Sequence, residues 1–138
     1  MKEKRIHPIV KIFFASAVFV SLIVVIILAM GYRYITYPEG KFIGIIKNNV
    51  PYEGHIKYAT GDEADLYNGM QLKFENGNVY EGDLKNIVAD GHGKLTFAGS
   101  GNVYEGMFLN NQMSGKGTLT YGNGNSYEGD FVNGKREG

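Results

Sequence analysis

The string Tyr-Glu-Gly recurs at Tyr80-Glu-Gly82, Tyr104-Glu-Gly106 and Tyr127-Glu-Gly129, at spacings of 24 and 23 residues. A fixed period of this length constrains the fold strongly, because each unit must be one supersecondary element that stacks on its neighbours. A glycine follows each tyrosine by 11 positions, at Gly91, Gly115 and Gly138, and in the two complete units another follows at Gly93 and Gly117. Leu95 and Phe97, or Leu119 and Tyr121, come next. Each unit then closes in a turn, Ser100-Gly101-Asn102 or Asn123-Gly124-Asn125. The stretch before the first unit ends in the same way, with Leu72, Phe74 and Asn76-Gly77-Asn78.

Within a unit the period is two. Tyr104, Gly106 and Phe108 alternate with Glu105, Met107 and Leu109, and Gly117, Leu119 and Tyr121 alternate with Thr118 and Thr120. Alternation of this kind is the signature of a strand with one apolar face. Asn110-Asn111 and Asn133-Gly134 stand between the strands and suit the positive φ of a tight turn. Each unit is therefore expected to be a β-hairpin. A glycine recurring in register on the apolar face leaves room for an aromatic ring. A lone hairpin is marginal in water, so the hairpins must stack.

The combination of Tyr-Glu-Gly, an Asn/Gly turn, Gly-x-Gly, Leu-x-Phe/Tyr and Asn-Gly resembles the MORN repeat (membrane occupation and recognition nexus). Residues 104–126 match along their whole length, residues 80–103 carry one extra residue near Gly99, and residues 127–138 stop at the first glycine of the pair. The resemblance implies an all-β repeat, an elongated single-layer antiparallel sheet of stacked hairpins. It also implies an interaction role without catalysis in the repeats. The expected structural glycines are Gly82, Gly91, Gly93, Gly106, Gly115, Gly117 and Gly129.

Residues 40–79 leave two registers open. Tyr52-Glu-Gly54 could open a repeat. Alternatively Phe42-Ile-Gly44 opens it, with Asn48-Asn49 as the turn and Gly54, Ile56 and Tyr58 on the second strand, which keeps the period better. Either way Thr60 to Asp65 reads as a loop insertion.

The N-terminal part is of another kind. Ile12 to Met30 is a run of 19 residues without charge, Pro or Gly, 13 of them Ile, Leu, Val or Phe. As a helix it spans roughly 28 Å, close to the hydrocarbon thickness of a bilayer. Its insertion is favoured by roughly 4–8 kcal/mol. A cleavable leader competes, since Ala29-Met30-Gly31 is a small-x-small site, but the run exceeds the usual apolar core of a leader. An uncleaved signal-anchor helix is expected. Lys2, Lys4, Arg5 and Lys11 should hold the N-terminus in the cytoplasm and place the repeats on the extracytoplasmic side. The expected organisation is a basic N-terminus (1–11), a transmembrane helix (12–30), a juxtamembrane linker (31–41) and degenerate hairpins (42–79). Two full repeats (80–103 and 104–126) and a partial one (127–138) follow.

Composition removes several function classes. Lys and Arg number 14, as do Asp and Glu, and beyond residue 30 the balance is 10 basic to 13 acidic, a net of −3. No basic stripe suited to nucleic acid is present. The absence of cysteine excludes a disulfide scaffold, a thiol nucleophile and a Cys-built zinc site. The glycine pairs lack the strand–loop–helix context of a phosphate cradle. Asp62, Glu63 and Asp65 lack the spacing of a calcium loop, and His7, His55 and His92 have no partner at ligand spacing. No catalytic residue, cofactor or metal ligand is assigned, and the chain is read as a non-enzyme.

The remaining candidate is the aromatic row. Tyr80, Tyr104 and Tyr127 recur once per hairpin, with Phe97, Tyr121 and Phe131 beside them. They read both as the core of the sheet and as a partly exposed groove for a peptide, a helix or lipid. The strand from Tyr127 to Val132 is expected near a sheet edge, with Tyr127 and Phe131 incompletely covered and open to a partner or a second copy of the chain. The function that follows is a membrane-anchored, non-catalytic protein-interaction or scaffolding module. Lipid-head-group binding is the alternative, and the net charge weighs against anionic lipid.

Overall fold

Alternating side chains and Asn/Gly turns dominate the chain beyond residue 31, and the structure there is a run of antiparallel strands. It is a computed structural model and describes residues 17–137. Among the described residues one helix, α1 (Ala17–Ala29), precedes β1 (Tyr32–Tyr37), β2 (Gly40–Lys47), β3 (Val50–Tyr58), β4 (Glu63–Tyr67) and β5 (Gln71–Phe74). The sheet continues as β6 (Val79–Lys85), β7 (Val88–Thr96), β8 (Val103–Leu109), β9 (Gln112–Thr120), β10 (Ser126–Val132) and β11 (Lys135–Arg136). The 11 strands form one open sheet in sequence order, every neighbouring pair antiparallel.

The preferred register for residues 42–58 holds. Phe42 pairs with Ile56 and Gly44 with Gly54, and Asn48 and Asn49 turn the chain with φ of 51° and 63°. Two other expectations are corrected. The segment 31–41 is not a linker: Tyr32–Tyr37 is a strand paired residue by residue with β2. Nor is 60–65 a loop insertion throughout, because a short turn ends at Asp62 and Glu63 already begins β4, paired with Lys57. Both segments were hard to read because neither carries the Tyr-x-Gly pattern.

The basic N-terminus (1–11), residues 12–16 of the expected anchor and Gly138 lie outside the described residues. Among the described residues no helix is long and apolar enough to cross a membrane. α1 covers 13 residues without a charged side chain, and Leu22, Val25, Ile26 and Leu28 are exposed on it. Arg33 reaches back from β1, donating from Nη1 to the Leu28 and Tyr32 carbonyls at 2.8 Å each. A cation at a helix C-terminus satisfies orphan carbonyls and complements the helix dipole. Only Met30 and Gly31 separate helix from sheet.

The apolar faces of the strands combine in one continuous core that includes Phe42, Ile56, Leu66, Leu72, Tyr80, Tyr104, Phe108 and Phe131, all buried. The sheet is not flat. Turns from both of its lateral edges come together over this face, and the Tyr58 hydroxyl at the end of β3 donates to the Ile87 carbonyl in the β6–β7 turn at 2.6 Å. Strand twist, sharpened where the register shifts inside β6–β7 and β8–β9, curls the face inward.

Candidate functional site

The recurrent tyrosines sit in the spine of the sheet. Tyr104 lies over two glycines: a Cβ built at Gly117 would fall into its ring, and one built at Gly106 would lie 2.8 Å from its hydroxyl. Tyr80 covers Gly82 and Gly93 in the same way. Both glycine pairs are direct cross-strand partners. Past each pair the ladder shifts: Leu84 next pairs with Ala89, and Phe108 with Met113. Gly91 (φ 105°) and Gly115 (φ 75°) lie within these bulges, so the two glycines of Gly-x-Gly have different work. The first turns the backbone at the bulge, and the second makes room for the ring.

The bulge also explains the hydroxyl. Tyr80 donates to the Asp83 carbonyl at 2.6 Å and Tyr104 to the Met107 carbonyl at 2.8 Å, in each case the residue displaced from the ladder. Burial pushes the hydroxyls of Tyr58, Tyr80 and Tyr104 above the usual phenol range. For Tyr80 the carboxylates of Asp83 and Asp90 push the same way. These groups are therefore neutral donors, and nothing in their setting equips them as bases.

The rings interlock as a ladder. Tyr80 and Phe108 meet edge to face at 4.8 Å between centroids, Phe108 and Tyr104 at 5.1 Å, Tyr104 and Phe131 at 4.8 Å, and Phe131 and Tyr127 at 5.4 Å. Such pairs contribute about 0.5–1.5 kcal/mol each beyond their burial. Tyr80, Tyr104 and Phe131 are thus core residues, fully enclosed. Of the two readings of the aromatic row, structural packing describes these three. The expected exposure of Phe131 is corrected, since Phe131 is 1% exposed beneath Tyr104 and Tyr127.

Tyr127 and Tyr121 are half-buried at the C-terminal corner. The Arg136 guanidinium stands 5.2 Å from the Tyr127 ring and 5.9 Å from the Tyr121 ring, within cation–π reach. The Tyr127 hydroxyl donates to the Glu137 carbonyl at 3.0 Å. Beyond β9, strand β10 pairs through Phe131 and Val132 with Arg136 and Lys135. This corner is therefore partly covered by its own chain.

The exposed part of the apolar face is elsewhere. A groove of about 560 Å³ runs between the curled edges, a size suited to a sizeable ligand group. Its accessible apolar surface comes from half-buried Phe74, Leu95, Phe97 and Met113, over a floor of buried Tyr58, Tyr80 and Phe108. One bank is made by the β3–β4 and β5–β6 turns, with Asp62, Glu63, Glu75, Asn76 and Asn78. The other is made by Asn111, Gln112 and Gly134. Of the six aromatics expected in a groove, Phe97 and Tyr80 line it, and Tyr104, Tyr121, Tyr127 and Phe131 do not. Phe74 and Leu95 carried a sequence signal, since they end units in the Leu-x-Phe pattern. Tyr58, Met113 and the acidic bank carried none, because the curl of the sheet alone brings them together.

His55, isolated in the sequence, meets Asp65 across β3 and β4 at 2.9 Å from Nδ1 to Oδ1. Asp65 is thereby separated in role from Asp62 and Glu63. Among the described residues, no group of three or more His, Asp or Glu side chains is placed to hold a metal ion.

The MORN repeat family model matches residues 80–101, 104–126 and 127–138. Those segments begin at the three tyrosines whose rings lie over the glycines. Residues 80–138 thus carry MORN repeats. No curated protein matches the chain. MORN repeats generally serve as modules for binding proteins or membranes, without catalytic function of their own.

Proposed function

We propose that this MORN chain is a membrane-anchored, non-catalytic interaction module that holds a protein partner in the groove between its curled edges. The groove carries the reading. Its wall contains half-buried Phe74, Leu95, Phe97 and Met113, which the sheet leaves uncovered. Apolar surface rimmed by polar groups is characteristic of interaction sites. Among the described residues three acidic ones and no basic one line it, so the head group of an anionic lipid is the poorer fit.

Two further observations support the anchor. The uncharged run that forms α1 extends in sequence back to Ile12, and the exposed side chains of α1 are large and apolar. The basic residues at positions 2, 4, 5 and 11 favour a cytoplasmic N-terminus, with the repeats extracytoplasmic. After alkaline washing the protein should remain in the membrane fraction, and protease added outside intact cells should digest the repeats. Release by the wash removes the anchor, and protection of the repeats reverses the topology.

The binding role is tested by placing a photoreactive amino acid at Gln112, which is exposed on the groove rim. In-cell cross-linking of the full chain should yield one dominant protein adduct, absent when the photoreactive residue is moved to Glu128 on the opposite face. Cross-linking to lipid alone would overturn the protein-binding reading.

A further inference from the structure

The banks of the groove differ in chemistry. Phe74 and Phe97 supply aromatic surface along one side, and Met113 faces in from the β9 side. The β3–β4 and β5–β6 turns are held side by side by the hydrogen bond from the Glu75 backbone N–H to the Glu63 carbonyl, 2.9 Å. That bond sets Asp62, Glu63 and Glu75 along a single bank, with Asp62 and Glu75 exposed. Among the described residues, no Lys, Arg or His lines the groove. A ligand lying on this apolar surface therefore passes beside the exposed carboxylates of Asp62 and Glu75.

The walls also limit the form of the ligand. Strands β3 to β9 are each hydrogen-bonded to a neighbour on both sides, so no free strand edge opens into the groove. Strand addition is unavailable there, so a polypeptide must be seated by its side chains, as an amphipathic helix is when its apolar face lies in a groove. We infer that the groove takes an amphipathic helix from a protein partner, with large apolar side chains one turn apart directed at Phe74, Phe97 and Met113. Lys or Arg residues flank that stripe and face Asp62 and Glu75. The inference rests on the protein-binding reading and adds the partner's chemistry to it.

Charge complementarity of this kind sets specificity and association rate, and it weakens with added salt. The methylene stems of Lys and Arg can also lie against Phe74 while their heads reach the bank. An acidic or neutral helix of the same apolar pattern gains no such contact.

The test is selection of a random peptide library, displayed on phage, against the full chain in phosphatidylcholine nanodiscs, with empty discs as counter-selection. Three baits are compared: the native chain, the double variant Asp62→Lys/Glu75→Lys, and Phe97→Ala. Both charge positions are exposed turn sites, so the double variant keeps the fold, which circular dichroism checks. The native chain should enrich peptides with apolar residues at helical spacing flanked by Lys and Arg. The double variant should bind these roughly tenfold more weakly and select acidic peptides instead. Phe97→Ala should weaken both kinds.

Enriched peptides without a basic bias, or peptides indifferent to the charge reversal, would overturn the inference and leave the protein-binding reading standing. Absence of any enrichment over empty discs would overturn the helical-peptide inference. The protein-binding reading itself then stands or falls on the Gln112 adduct.

Discussion

In β6 to β10 the small residues form one unbroken row: Gly82, Gly93, Gly106, Gly117 and Gly129 are successive cross-strand partners. In β2 and β3 a similar row starts as Gly44 and Gly54, but across β4 and β5 it continues as Leu66 and Leu72 and then meets Tyr80. The row has slipped by two residues between the halves. The cause is the short β4–β5 hairpin, whose turn at Asn68-Gly69 stands where the next small pair would be. A slip of two keeps every side chain on its own face, whereas a slip of one would turn the core outward. The sheet therefore tolerates a degenerate hairpin as long as the parity of the strands is kept. Aliphatic Ile56, Leu66 and Leu72 fill the first half, where interlocked rings fill the second.

The largest effect that distinguishes fixed from movable parts should come from the glycines. Gly117→Val drives a branched side chain into the Tyr104 ring, which Phe108 and Phe131 hold on both sides. The expected cost is about 3 kcal/mol or more, the upper range for overpacking. Gly54→Val meets the Gly44 backbone and the buried Phe42 ring, so the irregular half should be as sensitive. Gly129→Val meets the half-exposed Tyr127, which can swing away, and should cost less. Denaturant unfolding ranks the three. Equal losses at Gly129 and Gly117 would mean that the corner is as rigid as the centre.

A smaller effect separates the halves by chemistry. Phe42 occupies in β2 the place that Tyr104 takes in β8, without the hydroxyl. Tyr104→Phe leaves the ring and removes the donor to the Met107 carbonyl, at a cost of about 1–3 kcal/mol. The same hydroxyls make stability depend on pH. Burial raises the native pKa of Tyr80 and Tyr104, so the folded chain keeps protons that the unfolded chain loses above about pH 10. That contribution is complete below about pH 10 and is lost as pH rises further toward the native values. Unfolding measured at neutral and strongly alkaline pH should show the drop, and Tyr104→Phe should reduce it. An unchanged pH dependence in that variant would remove Tyr104 from the account.

The regular half was legible in the sequence because one pattern served three times. Tyr-x-Gly, the Asn turns and the alternation specified strands, faces and register, and Phe42-x-Gly44 carried enough of it to place β2 and β3. The strand at 32–37 and β4 were not legible, since their pairing is dictated by neighbours and not by local pattern. The groove was legible only in part. Phe97 belongs to the repeat, but the acidic bank, Tyr58 and Met113 meet through curvature that accumulates over many strands and that no local spacing encodes. The bulges hid the distinct roles of Gly91 and Gly93, which in sequence look like one motif.

The smallest expected difference lies on the polar face. Lys116 Nζ and Asp130 Oδ1 are 3.1 Å apart with side chains 84% and 53% exposed, whereas His55 and Asp65 are 14% and 18% exposed at 2.9 Å. Water screens the first pair and leaves its long side chain mobile, so Lys116→Ala should change stability by less than about 0.5 kcal/mol. The second pair joins β3 to β4, the strands flanking the slip in register, and is largely withdrawn from water. Asp65→Asn keeps the size of the side chain while weakening an enclosed hydrogen bond, and should cost about 1 kcal/mol. The ordering follows from burial alone, since the two contacts are nearly equal in length. If Lys116→Ala proves the more costly in paired unfolding measurements, the ion pair in the regular half contributes beyond its exposed geometry, and the β4 junction is held by packing alone.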